Sequence, residues 1–302
     1  MTTNLDAGSE LFLANLNRIQ QGLATTNRQV SSGKKISVAS DAPDQIGTLL
    51  QLRADLQHNS QVQSNLVLAK TDASSADSAI GAAINMLDQA MTLGEQGSNT
   101  TQTADIRKTL SDQIQAIQQQ MIAVTTTSVQ GRYIFNVDHP DAPPYTFDSA
   151  LLATNPVVQM SPSTATLHVE DPAGGSFLAA KGAVEIFDSP VPNGPLTVLN
   201  NLRLALIAND PTAITAAIDP IKQASAHLNS MQAFYGQVET RIQSATDYAS
   251  NRDTQLQSQI SDVEDADITA AALQLTQSSV QLQAAMQMRA RLPHNSLFDY
   301  LG

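Results

Sequence analysis

The distribution of proline along the chain is the feature that most restricts its fold. Nine of the 13 prolines lie within residues 138–196, residues 44–137 contain none, and residues 197–292 contain two. Because proline removes a backbone hydrogen-bond donor and breaks the interior of a helix, only the two proline-poor segments can form long helices. The chain is therefore predicted to consist of two helical arms that flank a proline-rich insert.

Both arms carry small and apolar residues at alternating spacings of three and four. They are Leu16, Ile19, Leu23, Thr26 and Val30; Val62, Leu66, Ala69, Ala73, Ala76, Ile80, Ala83 and Leu87; Leu110, Ile114, Ile117, Met121 and Val124; Ile221, Ala224, Leu228, Met231, Tyr235, Val238, Ile242, Ala245 and Ala249; and Ile268, Ala272, Leu275, Ser279, Leu282 and Met286. A sustained period of 3.5 residues predicts helices packed side by side along their length. The predicted fold class is mainly α: a long antiparallel helical bundle or coiled-coil rod formed by the N- and C-terminal arms, with a small β-rich insert. The period alone is equally typical of a generic antiparallel bundle.

Two breaks interrupt the first arm. Gly94 and Gly97 predict the end of one long helix, and Thr103 or Asp105 is expected to cap the next. The earlier break, SSGKKISVASDAP at residues 31–43, places Pro43 at the first position of a predicted helix, with Ala42 or Asp41 as its cap.

Four short β-prone runs occupy the insert between turn signals such as Asp-Pro, Gly-Gly and Asn-Gly. They are Tyr145–Phe147, Val157–Gln159, Thr166–Val169 and Val184–Phe187. A small β-rich domain is predicted here, and a segment made of loops alone is the alternative because runs this short are weak indicators.

Composition excludes several classes of function. The formal net charge of −12 argues against a nucleic-acid-binding surface, and the absence of cysteine excludes disulfides, thiol catalysis and cysteine-ligated metals. No membrane span is expected, because no stretch of 18 apolar residues occurs, and the N-terminal residues lack the basic and apolar regions of a signal peptide. The five histidines are scattered, and no phosphate-binding, dinucleotide-binding or nucleophile motif occurs. We therefore expect a protein that is not an enzyme, with no catalytic, cofactor-binding or metal-binding residues.

Two charged clusters have a structural interpretation beside a functional one. The acidic stretch formed by Asp262, Glu264, Asp265 and Asp267 lacks the glycine and final glutamate of a calcium loop, so it is interpreted as a negatively charged helix start. The basic pair at residues 34–35 is either a solvated loop or a contact between subunits.

Three segments of the sequence are specific enough to indicate a protein family. VSSGKKISVASDAPDQIG at residues 30–47, GRYIFNVDHPDAPPY at residues 131–145 and VEDADITAAALQLTQSSVQLQAAMQM at residues 263–288 resemble the conserved segments of the bacterial flagellin family. Lys35 stands where the family usually has arginine, and Asn136 where it often has glycine. The final residues, SLFDYLG at 296–302, resemble the ending of the family's hook–filament junction members rather than the leucine-rich tail of filament flagellin.

The resemblance implies a particular organisation. Terminal helical arms at residues 1–43 and 265–302 would form an axial coiled-coil layer, residues 44–137 and 197–264 an α-helical rod, and residues 138–196 a β-rich outer insert. The implied function is a structural adaptor that joins the hook to the filament, and flagellin itself is the alternative. Candidate residues of the assembly interface are Leu16, Ile19, Leu23, Val30, Ile268, Leu275, Leu282 and Met286.

The same resemblance implies partners and location. The expected partners are further copies of the chain in a ring, the other junction protein, flagellin and a flagellar export chaperone, with neither nucleic acid nor membrane. The expected location is the extracellular flagellum, reached through the flagellar export apparatus without a cleaved signal peptide.

Overall fold

A computed structural model of the chain describes the backbone of residues 7–291 and the side chains of residues 10–289. The helices are α1 (Ala7–Ser32), α2 (Ile46–Ser98), α3 (Ala104–Thr125), α4 (Pro195–Ile207), α5 (Pro211–Glu264) and α6 (Ile268–Arg291). The strands are β1 (Ser128–Val129), β2 (Arg132–Tyr133), β3 (Tyr145–Phe147), β4 (Val157–Gln159), β5 (Leu167–Glu170) and β6 (Ser176–Ala180). Each strand pairs antiparallel with its neighbour in sequence, as β1–β2, β3–β4 and β5–β6. The predicted mainly α fold with a small β-rich insert is confirmed, and no helix among the described residues is long and apolar enough to cross a membrane.

The chain divides into two compact units. The first consists of Met1–His58 and Arg252–Gly302, and the second of Asn59–Asn251. Both α2 and α5 contribute residues to each unit. The finer division into terminal arms, rod and outer insert stays a prediction.

The heptad positions of the second unit form its core. Every one of the predicted positions between 62 and 87 of α2 and between 221 and 249 of α5 is buried. Leu66, Leu87 and Leu228 have no exposed surface. Burying apolar surface at about 25 cal/mol per Å² makes these stripes the main source of this unit's stability.

The predicted break after the first long helix is confirmed, because α2 ends at Ser98 and α3 begins at Ala104, although α2 continues through Gly94 and Gly97 before it ends. A β-carbon at Gly97 would lie 2.5 Å from the side chain of Leu206 in α4, and one at Gly94 would lie 3.3 Å from Leu202. The glycines therefore allow α4 to approach α2 closely, which is a packing role rather than a helix-ending one.

Polar side chains join α2 to α3. Thr103 caps α3 by accepting a hydrogen bond from the Ile106 amide, so the first of the two predicted caps is the one used. The buried Arg107 donates to the carbonyl oxygens at Gly97 and Asn99, at 2.8 and 2.9 Å. Arg107 thus binds carbonyl groups that the end of α2 leaves without helical partners.

The predicted start of the second helix at Pro43 is wrong. The amides of Gln45 and Ile46 donate to the carbonyl oxygen of Ala42, which forms a turn, and α2 begins at Ile46. The carboxylate of Asp41 accepts bonds from backbone amides that precede it and therefore does not cap this helix.

The predicted strands of the insert have mixed outcomes. The runs at 145–147 and 157–159 form β3 and β4 with the predicted bounds, and the run at 166–169 forms β5 shifted by one residue. The strand predicted at 184–187 is wrong, because Val184–Asp188 forms one wide helical turn. Ile186 and Phe187 are both fully buried there, and a strand would have placed these neighbours on opposite faces. The pairs β1–β2 and β5–β6 include strands that the sequence had not indicated.

The insert shares its core with the helices of the second unit. The ring of Phe187 packs edge to face against Phe135, with centroids 5.2 Å apart. The hydroxyl of Tyr235 in α5 accepts a hydrogen bond from the Lys181 amide, and His227 bonds to the Glu185 carbonyl oxygen at 2.8 Å. The buried residues of insert and helices accordingly form one continuous hydrophobic cluster.

Candidate assembly site

The two terminal helices of the first unit, α1 and α6, pack against each other in antiparallel directions. At one end, the Ala266 amide donates to the Gly33 carbonyl oxygen at 2.9 Å. At the other end, the guanidinium of Arg289 lies 5.4 Å from the centre of the Phe12 ring, within the range of a cation–π contact. The contacts at both ends show that the helices lie alongside each other for most of their length.

The α1 side of this pair contains the four candidate interface residues of the first arm. Leu16, Ile19, Leu23 and Val30 are all partly buried, which agrees with their common helical face. Thr26, at the remaining heptad position, is buried and donates its hydroxyl to the Gly22 carbonyl oxygen at 2.8 Å. The helix therefore presents one continuous stripe to α6.

The α6 side confirms only part of the predicted stripe. Leu275 and Leu282 are partly buried, but the positions around them are Ala271 and Ser278, which are buried, rather than Ala272 and Ser279. Leu275 and Leu282 belong to both the predicted and the observed set of positions. The two sets differ only in which neighbouring alanine and serine they include, and the sequence gives no difference in hydrophobicity between these. The remaining candidates of this arm, Ile268 and Met286, are about half exposed.

A second apolar stripe lies on the opposite face of α6. Leu273 and Val280 are 61% and 58% exposed, and at 100° per residue they point away from Ala271 and Ser278. Met288, about two turns further along α6, is also exposed. The spacing of seven residues between Leu273 and Val280 is a signal in the sequence that indicates this second stripe.

The glycine-lysine segment after α1 is tied to the end of α5 by one carboxylate. Gly33 ends α1 with φ +72°, a conformation that favours glycine, and its amide donates to the Gln29 carbonyl oxygen. Glu264, the last residue of α5, is 3% exposed and forms ion pairs with Lys34 and with Arg53, the latter at 2.7 Å. Its carbonyl oxygen also accepts the Lys35 amide at 2.6 Å.

Electrostatics favour the charged form of this glutamate. Burial alone would raise the pKa of Glu264, but hydrogen bonds and charge interactions with Lys34 and Arg53 outweigh it and hold that pKa below its usual value. The pairing also gives Lys34 a role within its own chain. We call this arrangement of Lys34, Arg53 and Glu264 the carboxylate latch.

Asp41 holds the later part of the segment that connects α1 to α2. Its carboxylate accepts the amides of Val38 and Ser37, each at 3.0 Å, and these bonds hold the pKa of Asp41 below its usual value. The other oxygen lies 3.5 Å from the guanidinium of Arg28 in α1. Asp41 therefore shapes this loop.

The acidic stretch before α6 is a helix start, as the sequence indicated. The side chain of Asp267 accepts the amides of Thr269 and Ala270, at 2.9 and 3.0 Å, and so caps α6. Within residues 7–291, no group of three or more histidine, aspartate or glutamate residues is placed to hold a metal ion.

Long helices, paired terminal segments and a small β insert define a helical assembly protein of the flagellin class. Residues 6–138 match the bacterial flagellin N-terminal helical region, and residues 218–301 match the bacterial flagellin C-terminal helical region. These matches cover more than half of the chain, which therefore belongs to the bacterial flagellin family. Such proteins are structural components of the flagellum.

Solved structures with the same fold include proteins from three bacteria. A flagellar hook-associated protein of Vibrio parahaemolyticus has a TM-score of 0.64 at 17% identity, covering 74% of this chain and 100% of that one. FlgL of Xanthomonas campestris has a TM-score of 0.60 at 12% identity, and FlgL of Bacillus cereus 0.56 at 18%; each covers 70% of this chain and 99% of its own. A search of curated protein sequences gave no match. At these identities the likeness shows the shared fold.

Proposed function

We propose that this protein is a structural adaptor at the hook–filament junction of the bacterial flagellum. The observation that carries the proposal is the paired α1 and α6, which bury one apolar stripe between them and leave a second one, Leu273 and Val280, exposed. An exposed apolar stripe along a helix favours contact with another helix. The adaptor would form a ring of subunits that contacts the other junction protein on one side and flagellin on the other.

The choice of junction adaptor over filament flagellin has two supports. The three similar solved structures described above carry the names FlgL or hook-associated protein and extend over 70–74% of this chain. The C-terminal sequence SLFDYLG resembles the junction members, although it lies outside the described residues. Filament flagellin remains the second candidate, because it uses the same paired terminal helices.

Further parts of the proposal follow from the family. The protein would be exported through the flagellar apparatus without a cleaved signal peptide, with help from a chaperone, and would act outside the cell. The interface would include Leu16, Ile19, Leu23, Val30, Ile268, Leu275, Leu282 and Met286. To these we add Leu273 and Val280, whose exposed side chains are free to contact a neighbouring subunit.

The proposed interface can be tested in cells that lack the native gene. The double variant Leu273→Gln/Val280→Gln should fold normally, because both side chains are exposed, but should leave hooks without filaments and release flagellin into the medium. A matched control is Val67→Gln, which changes a side chain of α2 that is 62% exposed, and it should restore filaments. Electron microscopy of the cells and immunoblots of the medium give the readout.

Two results would contradict the proposal in different ways. Normal filaments on cells with the double variant would show that this stripe is not an assembly surface. Long filaments grown from the purified protein alone would support the flagellin alternative, because a filament subunit needs contacts that propagate without closure. An adaptor needs two unlike neighbours, so the purified protein should form none.

A further inference from the structure

The turn that precedes α4 contains the only asparagine–glycine pair in the sequence, Asn193–Gly194. In such a pair the backbone nitrogen of the second residue can attack the side-chain carbonyl carbon of the first, because glycine has no β-carbon to hinder the approach. Asn193 is partly exposed, so water reaches its side chain, and Gly194 is buried at the start of the helix. The pair takes no part in the paired terminal helices or in the proposed junction contacts.

The attacking nitrogen of this pair is free. The Gly194 amide donates no hydrogen bond within residues 7–291, while its carbonyl oxygen accepts the Val198 amide of α4 at 3.0 Å. Most other asparagines of the described residues lie inside helices, where the amide of the next residue is held in a helical hydrogen bond. Asn229–Ser230 in α5 is an example, because its asparagine is exposed but the nitrogen after it is bound. The fold therefore protects most asparagines and leaves the nitrogen after Asn193 available.

A close approach of two backbone segments fixes glycine at position 194. A β-carbon there would lie 2.6 Å from the carbonyl carbon of Asp188, closer than real β-carbons come to backbone atoms. The carboxylate of Asp188 accepts hydrogen bonds from Tyr145 and Gln159, so the segment that Gly194 contacts is itself held in place. A larger residue at this position would displace one of the two segments. The packing at the start of α4 thus retains the glycine that makes the pair reactive.

Two hydrogen bonds restrain the asparagine. Its amide donates to the Pro190 carbonyl oxygen at 2.5 Å, which closes a turn, and its side-chain Nδ2 donates to Gln223 Oε1 in α5 at 2.9 Å. Because Gln223 is exposed, the second bond competes with water and opens readily. While that bond lasts, it fixes the direction of the side-chain amide. Once it opens, the side chain of Asn193 is free to turn towards the Gly194 nitrogen.

We propose that Asn193 is a site of spontaneous deamidation in the folded protein, with Gln223 as the residue that slows the reaction. The Gly194 nitrogen forms a bond to Asn193 Cγ and gives up its proton, and the bond between Cγ and Nδ2 breaks. The amide group and that proton leave as ammonia, and a cyclic succinimide remains. Water then adds to one of the two ring carbonyl groups and opens the ring, which gives aspartate or isoaspartate at position 193.

The products change the contacts of the turn. A carboxylate has no donor for Gln223 Oε1, so the side-chain link to α5 is lost. Isoaspartate also adds one carbon to the backbone before Gly194, where the close approach to Asp188 leaves little space for it. The modification therefore loosens the start of α4.

The experiment incubates the full-length protein at neutral and at mildly alkaline pH and follows both products by peptide mass spectrometry. Methylation by a protein isoaspartyl methyltransferase distinguishes isoaspartate from aspartate. We expect Asn193 to convert about a hundredfold faster than Asn229, because only its following nitrogen is free to reach the side chain. The conversion should be faster at alkaline pH, since the attacking nitrogen must lose its proton.

Variants test the assigned residues. Gln223→Ala should raise the rate of conversion at Asn193 about tenfold, because the side-chain amide is then unrestrained. Gln237→Ala, the same change at another exposed glutamine of α5, should leave the rate unchanged. Asn193→Gln is the blank, because its longer side chain would have to form a larger and slower-closing ring, and almost no product should appear at that position.

Conversion of Asn193 no faster than that of Asn229 would overturn the proposal and would show that the turn holds the side chain away from Gly194. Conversion only after unfolding in denaturant would overturn it in the same way. An unchanged rate in Gln223→Ala would overturn the role assigned to Gln223. None of these outcomes depends on assembly of the flagellum, so the proposed junction function stands or falls separately.

Discussion

The first and second units share the same heptad pattern, but the heptad positions are buried to different extents. In the second unit, heptad positions such as Leu66, Leu87 and Leu228 have no exposed surface. In the first unit, the corresponding positions Leu16 and Leu275 are only partly buried, although α1 and α6 pack against each other. One unit therefore satisfies its apolar stripes within the chain, and the other leaves part of them exposed.

This difference shows that a periodic pattern predicts that a helix packs against something. It does not predict whether the packing partner belongs to the same chain. Two helices alone cannot surround a stripe, because each covers only one side of the other. The second unit adds α3, α4 and the insert to the same cluster, and this completes the enclosure. A region with an incomplete core is a natural place for contacts between subunits.

The largest expected difference between the units is in hydrogen exchange. In the dilute full-length monomer, residues 10–31 and 268–289 should exchange about a hundredfold faster than residues 62–90 and 221–249. The reason is that local opening costs less where few apolar contacts are lost. Mass spectrometry of exchanged peptides gives the measurement, and uniform protection over the four segments would contradict the comparison.

A smaller but still large effect is expected at the shared core of the insert. Phe187→Ala should lower the free energy of unfolding by about 3–5 kcal/mol, because the ring is fully buried against Phe135. Tyr248→Ala, at an aromatic that is 47% exposed, is the control and should cost less than 1 kcal/mol. Urea unfolding provides the measurement. Equal, small losses for both variants would mean that the insert is a separate layer.

The carboxylate latch should make the stability of the first unit depend on pH. Because the pKa of Glu264 is lowered in the folded state, its stabilisation is present above the unfolded pKa near 4.3 and is lost as pH falls through the folded value. Glu264→Gln should cost about 1–2 kcal/mol at pH 7, a range reduced because Lys34 and Arg53 are about half exposed. The difference from the native protein should shrink towards pH 3.

Thermal unfolding at both pH values measures this effect. The control is Glu95→Gln, which removes an exposed carboxylate from α2 and should leave the pH profile unchanged. A constant difference between Glu264→Gln and the native protein from pH 7 to pH 3 would show that the latch acts by packing rather than by charge.

The smallest expected effect concerns the partly buried stripe. Leu275→Ala should cost about 1 kcal/mol in the monomer, since only part of the side chain leaves water. Leu273→Ala, two residues away on the exposed face, should cost almost nothing. Chemical unfolding of the two variants gives the comparison. A loss at Leu275 as large as those of fully enclosed leucines would show that the terminal helices form a complete core.

Local chemistry was enough to determine several features from the sequence. Proline positions separated the helical arms from the insert, and the heptads of α2 and α5 identified buried positions. Thr103 was one of the two caps expected for α3, and Asp267 was placed at the start of α6, because the residues that begin a helix act on amides only two or three residues away. The runs that became β3 and β4 were found in the same way, from alternation and adjacent turns.

Only the tertiary structure decided the features that depend on distant residues. A β-carbon at Gly97 would collide with the side chain of Leu206 in α4, and Ile186 lies fully buried in a helical turn within the core of the second unit. The register of α6 was set by the face that α1 covers. Glu264 finds Lys34 and Arg53 across more than 200 residues of sequence. These choices depend on which surfaces meet in space, and a local pattern contains no information about the partner that it will meet.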